Sequence, residues 1–295
     1  MRYGFKLSTK WTIFTAGLLV IGFLNLSEPR ATVDPNGKPF SSIQKKLIAD
    51  GFDAKKIRQL YDQPHVFFEA DGVALLFTYR EAHVDYDQFT NQWSIGKAKQ
   101  YMQKYEADLT RIEEHYLVDK KVITAILLVE TGLGASMGTR STLNTLSTMA
   151  ALMDPAVRDR LWDLIPDSKK ISRKKFEKKA ATRSKWAYEE LKAFLTYTDR
   201  EGFDPAAIPG SFAGAVGVAQ FMPSNILAYG RDGNDDGTVD MLDHTDSMAS
   251  VANFLKSHGW RQGQKRQKAE KIIHYYNHST YYVKTILKIA NLLKT

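Results

Sequence analysis

In AILLVETGLGASMGT, residues 125–139, a run of apolar side chains is interrupted by one carboxylate, Glu130, and two residues later comes Gly132. If this stretch is helical, Ile126 and Leu127 lie four and three residues before Glu130 and share its face. The carboxyl group then sits among apolar neighbours at a helix C-terminus, where the negative end of the macrodipole disfavours a second negative charge. Desolvation and dipole act together to keep such a group protonated, which is what a general acid needs at neutral pH. The plainer alternative is a solvent-facing glutamate at a frayed helix end.

Three other stretches hold residue types suited to chemistry. DGNDDGTVDMLD, residues 232–243, places Asp232, Asn234 and Asp236 at positions one, three and five of an EF-hand loop. Gly237 falls at position six and Thr238 at seven, where the carbonyl is the ligand. Position twelve is Asp243, whose shorter arm reaches less easily for bidentate binding, and an acidic turn without an ion is the alternative. YYNHSTYY, residues 275–282, groups four tyrosines around Asn277; aromatic faces suit the apolar face of a pyranose, although core aromatics at helical spacing look the same. GSFAGAVGVAQFMPSN, residues 210–225, uses Gly210, Gly214 and Gly217 to let backbones approach closely around Gln220 and Phe221, as any tight packing turn would.

These groups need helices to hold them. Asp119 is suited to cap a helix KKVITAILLVET that Gly132 and Gly134 end. The spacing predicts further helices over 41–51, 95–116, 185–197, 217–222 with Pro223 as breaker, 245–258 and 281–293. VALLFTY at 73–79 is the strand candidate, with a buried helix as its alternative. The fold class expected is mainly α with a minor β element.

The chain has 295 residues, 43% of them hydrophobic, enough for a substantial core. It has no cysteine, so disulfides, thiolate metal sites and a lipid-anchored N-terminus are excluded. Arg2, Lys6 and Lys10 precede the uncharged apolar stretch WTIFTAGLLVIGFLNL, which predicts an exported chain with a signal peptide or signal anchor over 1–26. A Pro-rich linker follows over 27–40. Residues 168–185 hold nine basic side chains against one acidic, a local excess equal to the whole net charge of +8. Such a run is a solvated helix or loop, or a surface for anionic wall polymer or lipid headgroups. Nucleic acid is not expected, because the run lacks interleaved aromatic platforms.

Four blocks, taken together, resemble one family. VETGLGASMGTRSTLNTLST, GSFAGAVGVAQFMPSN, DGNDDGTVDMLDHTD with SMASVANFLKSHGW, and YYNHSTYY are similar to the membrane-bound type B lytic murein transglycosylases, glycoside hydrolase family 103. The resemblance runs from about Trp93 to the C-terminus. It implies a lysozyme-like, α-rich catalytic domain over 41–295, an exported periplasmic location, free or tethered to the inner membrane by residues 11–26, and peptidoglycan glycan strands as the substrate. Glu130 would be the single acid/base, protonating the glycosidic oxygen and then deprotonating the muramoyl C6 hydroxyl, to leave a 1,6-anhydromuramoyl end. Ordinary glycosidases need two carboxylates; here the substrate supplies the nucleophile.

The same resemblance makes Ser211, Gln220 and Phe221 groove residues, Ser211 and Gln220 bonding substrate or Glu130. It sets Tyr276 and Asn277 beside the scissile bond, adds Tyr282 to that site, and implies a structural calcium ion on Asp232, Asn234, Asp236, Thr238 and Asp246, the last ranked above Asp243. No organic cofactor is expected. The resemblance also makes Arg183 a substrate-binding residue, although the family's paired arginines are only half matched, Ser184 standing beside it. A hydrolytic muramidase on the same fold and a non-catalytic, calcium-stabilised wall-binding module are the alternatives.

Overall fold

A computed structural model describes residues 39–78 and 85–294. The signal segment and nearly all of the linker expected over 27–40 lie outside the described residues. In chain order the helices before the first strand are α1 (Ser41–Ala49), α2 (Ala54–Tyr61), α3 (Ala70–Thr78), α4 (Gln92–Lys104), α5 (Glu106–Tyr116) and α6 (Lys120–Thr131). Strand β1 (Arg140–Ser141) leads into α7 (Thr142–Ala151), α8 (Pro155–Leu164) and α9 (Arg173–Glu201). Strand β2 (Pro209–Gly210) is followed by α10 (Pro223–Tyr229), α11 (His244–Ser257), α12 (Arg266–Tyr276) and α13 (Thr280–Leu292). The two short strands pair antiparallel, Arg140 opposite Gly210 and Ser141 opposite Pro209.

Helix α6 is the axis of this arrangement. Asp119 accepts the Lys121 N–H at 2.8 Å, satisfying a free donor at its start, and all ten residues from Val122 to Thr131 are buried. Such all-round burial requires neighbours on every side, and α13, α4, α11 and α5 supply them. Gly132 ends the helix in the left-handed region at φ +59°, which glycine enters without the Cβ penalty. A single apolar cluster runs from Phe40 to Leu293 and joins the helices.

Several elements differ from the sequence expectation. Residues 73–78 form part of α3, not a strand: Ala70, Val73 and Phe77 share one buried stripe, and Phe77 packs on Phe176 of α9. Among the described residues no strand lies alongside to pair with it, so packing decides over β propensity. The helix expected over 95–116 is two helices broken at Tyr105, whose ring lies against Tyr101 and His244. Glu106 and Asp108 then fall in the first turn of α5, where the helix dipole favours acids.

Residues 217–222 are a turn, with Val216 bridged to Phe221. Gly217 takes φ +78°, and a side chain there would run into the Met241 carbonyl. Pro223 opens α10 instead of ending a helix, since its fixed φ suits the first helical position. Helix α9 extends far beyond 185–197 and takes residues 173–185 of the basic run into its N-terminal half, with Phe176, Ala180, Ser184 and Ala187 on its buried side.

Candidate active site

The packing of α13 on α6 brings together two parts of the chain that are far apart in sequence. Glu130, one residue from the end of α6, is 8% exposed. The hydroxyl of Tyr282, in the first turn of α13, donates to Glu130 Oε1 at 2.7 Å. Burial pushes the Glu130 carboxyl up to about 8, against the pull of that hydrogen bond toward the charged form. The Tyr276 and Tyr282 hydroxyls are pushed above the usual phenol range by burial and by the adjacent carboxylate.

Tyr276 closes the α12 side of this seam. Its ring lies parallel to that of Tyr282, centroids 6.3 Å apart, and its hydroxyl donates to the Ala219 carbonyl at 2.5 Å. Asn277 Oδ1 accepts the Ser279 N–H at 3.1 Å, and Ser279 Oγ accepts the Tyr282 N–H at 3.3 Å. Asn277 thereby fixes the turn that sets the start of α13, and with it the Tyr282 hydroxyl.

The 217–222 turn forms the other wall. Gln220 sits at φ +50° and its amide donates to the carbonyls of Met137, 3.1 Å, and Gly217, 2.8 Å. Ser211 Oγ accepts the N–H groups of Ala213 and Ala215 at 3.3 and 3.1 Å. Both side chains therefore shape the backbone around the seam, and neither is hydrogen-bonded to Glu130. Phe221 is 2% exposed, its ring packed on Phe254 and Tyr276, so it supports this turn from within the core.

Thr131, which sequence reasoning passed over, ties the end of α6 to this turn. Its hydroxyl donates to the Val218 carbonyl at 2.8 Å and accepts the Gly134 N–H at 2.9 Å. The only sequence signal for it is its place beside Glu130. Arg183 is not part of this constellation: it lies on α9 with its guanidinium over the Phe77 ring of α3 at 5.7 Å.

Three other carboxylates are buried among the described residues, and each has fixed partners elsewhere. Glu69 pairs with Arg140 at 2.5 Å through Oε1, which also accepts the Gly72 N–H, while its Oε2 is buried without a hydrogen-bond partner. Glu190 accepts the N–H and hydroxyl of Ser224 at the start of α10. Asp246 is fully buried and takes the N–H groups of Gly233, Asn234 and Asp240 at 2.8, 3.3 and 2.7 Å.

Around Asp246 the 232–238 loop is wound by its own side chains. Asp232 accepts the N–H groups of Asp236 and Gly237, Asn234 that of Asp236, and Asp236 that of Thr238. Asp235 and Gly237 take positive φ, +59° and +92°. Among the described residues no three His, Asp or Glu side chains converge into a closed metal cage. The donors along the loop are nonetheless all oxygen, the chemistry of a hard cation. Asp243 is committed to capping α11, accepting the N–H groups of Thr245 and Asp246.

Comparison with known proteins follows from this geometry. The family model described as Transglycosylase SLT domain matches residues 37–271. Membrane-bound lytic murein transglycosylase B of Escherichia coli (strain K12) is 27% identical over 246 residues, 79% of this chain and 59% of the relative, so the chain spans about three fifths of that protein. Among solved structures, soluble lytic transglycosylase SltB1 from Pseudomonas aeruginosa superposes with a TM-score of 0.71 at 21% identity, covering 86% of this chain and 97% of that one. The Escherichia coli lytic transglycosylase Slt35 in complex with calcium gives 0.68 at 22% identity, over 88% and 93%. SltB3 from Pseudomonas aeruginosa in complex with NAG-anhNAM-pentapeptide gives 0.69 at 18%, over 88% and 80%. The mainly helical fold is thus that of the lysozyme-like lytic transglycosylases.

Proposed function

This chain belongs to the transglycosylase SLT domain family, and we propose that it is a peptidoglycan lytic transglycosylase in which Glu130 is the sole general acid and base. The observation that carries the reading is a carboxyl buried in the α6–α13 seam with a single neutral donor, Tyr282, and a pKa of about 8. Such a group is protonated at neutral pH. With Tyr282 bonded to Oε1, the other carboxyl oxygen holds the proton that is delivered to the glycosidic oxygen as the bond to the muramoyl C1 breaks. The resulting carboxylate takes the proton of the muramoyl C6 hydroxyl as that oxygen attacks C1. The product is a 1,6-anhydro ring, and no water is consumed.

Among the described residues the other buried carboxylates, Glu69, Glu190 and Asp246, are held by partners outside the Glu130 seam, which supports this single-acid scheme over hydrolysis, where a second carboxylate acts across the bond. In this reading Tyr276 and Tyr282 flank the scissile bond and Asn277 lies beside them, while Ser211, Gln220 and Phe221 support the groove wall. The body over 41–295 is one catalytic domain on an exported, periplasmic chain that residues 11–26 either tether to the inner membrane or deliver across it. A calcium ion suits the oxygens of Asp232, Asn234, Asp236 and the Thr238 carbonyl, with Asp246 anchoring the loop from below. The ion would fasten this loop to α11 and takes no part in the reaction.

The test is mass spectrometry of muropeptides released from purified peptidoglycan. Anhydro products, lighter than hydrolytic ones by one water and missing with Glu130→Gln, are expected. Reducing ends would replace this reading with a hydrolytic muramidase.

A further inference from the structure

We propose that the N-terminal half of α9 is a docking surface for an anionic phospholipid bilayer, carried by Lys174, Lys175, Lys178 and Lys185. All four are exposed, and none forms an ion pair with a described residue. At 100° per residue, Lys174, Lys178 and Lys185 fall within one narrow stripe and Lys175 beside it, facing away from the buried Phe176, Ala180, Ser184 and Ala187. The stripe spans roughly 16 Å of helix.

Several neighbouring charges are already committed. Arg173 pairs with Asp159 and Glu177, Arg158 with Glu177, and Lys170 with Asp167. Lys170 and Arg173 also lie over the Trp162 ring. The four lysines are therefore surplus to the internal ion pairing of the lobe. Nor do they serve the helix itself: Lys174 and Lys175 stand in the first turn of α9, which has no acid, where the macrodipole disfavours cations.

Two observations select a bilayer as the occupant. Lysine ammoniums on an exposed ridge are point charges without the fork that grips an individual carboxylate, so they suit a diffuse anionic surface. The described chain also begins on this same helix. Asp50, at the end of α1, accepts from the Tyr188 hydroxyl at 2.9 Å and pairs with Lys192 at 3.6 Å. Lys192 lies about five turns beyond Lys174, on the same stripe. The apolar segment 11–26 thus precedes a body whose first helix is fastened to the basic ridge. Helix α9 packs chiefly on α7 and α10, whereas α6 packs on α13, α4, α11 and α5, so the ridge belongs to a different set of elements from the Glu130 seam. The proposal is independent of the reaction catalysed.

The experiment is co-sedimentation of the full chain with phosphatidylcholine vesicles and with vesicles containing about 30% phosphatidylglycerol, at low and at high salt. The ratio between the two compositions removes any contribution of the apolar segment. Wild type is expected to favour the anionic vesicles by about tenfold or more at low salt, and to lose that preference at high salt. The Lys174→Gln/Lys175→Gln/Lys178→Gln/Lys185→Gln variant, with an unchanged melting curve, is expected to bind both compositions alike. Equal binding by wild type, a preference indifferent to salt, or a variant that keeps the full preference would each overturn the proposal. So would a variant that loses affinity for purified peptidoglycan while keeping its preference for anionic vesicles, since that assigns the ridge to the wall.

Discussion

Two buried carboxyl groups in this molecule, Glu130 and Asp246, show what burial alone does not decide. Asp246 is the more deeply enclosed, fully buried against 8% exposure for Glu130. Yet it is raised only to about 6, and Glu130 to about 8. Part of the difference is that an aspartate starts lower than a glutamate and that fewer atoms are packed around Asp246 to desolvate it; the rest lies in what faces the oxygens. Asp246 takes three backbone N–H groups, each favouring the charged form, whereas Glu130 takes one phenol. The first is wired into a loop, and the second, in the reaction proposed, gives up and takes back a proton.

The sharpest way to break this contrast is Glu130→Gln, which keeps the shape and removes the transferable proton. Turnover of peptidoglycan is expected to fall by about a thousandfold or more, with the fold intact by circular dichroism. The same variant tests the cost of the buried acid. Because the folded pKa lies above that of the unfolded chain, the native state holds the extra proton between pH 4.5 and about 8. Wild-type stability should therefore fall as pH rises through that window, by at most ~1.4 kcal/mol per pH unit from this group. Glu130→Gln should lose that component of the slope and gain on wild type toward pH 8; parallel melting profiles from pH 5 to 8 would contradict the buried neutral acid.

A smaller effect is expected at Tyr282→Phe. Losing the donor to the carboxylate should move the alkaline limb of the pH–rate profile upward by about one to two units and lower turnover at neutral pH by about tenfold or more. An unmoved limb would mean that Tyr282 does not set the Glu130 proton affinity. The smallest effect concerns the loop: calcium in excess should raise the melting temperature of wild type by about 5 °C, and Asp232→Ala should abolish that rise. A melting curve indifferent to calcium and to chelator would remove the ion from the account.

Much of the site was legible because its signals are local. Asp119, the apolar run and Gly132 mark α6 by capping and periodicity, and they place Glu130 at its end. What sequence spacing missed depends on distant partners. Residues 73–78 read as a strand by composition but are helical because Phe77 finds Phe176 on α9. The 217–222 stretch reads as a helix, but the Gly217 backbone lies against Met241 and the Thr131 hydroxyl holds the Val218 carbonyl. Phe221 stands in a motif that suggests the groove, and only the packing of Phe254 and Tyr276 shows its ring turned inward. Tyr282 reached the site through its motif, but its bond to Glu130 is a product of α13 folding onto α6.

The most direct test of the central claim is to titrate Glu130 itself, following its carboxyl group by infrared difference spectroscopy between wild type and Glu130→Gln across pH 4 to 10. A protonated carboxyl band that persists through neutrality and is lost near pH 8 is the result expected. A band already gone by about pH 5, as for an exposed glutamate, would mean that Glu130 is ionised at neutral pH and is not the acid that starts the reaction.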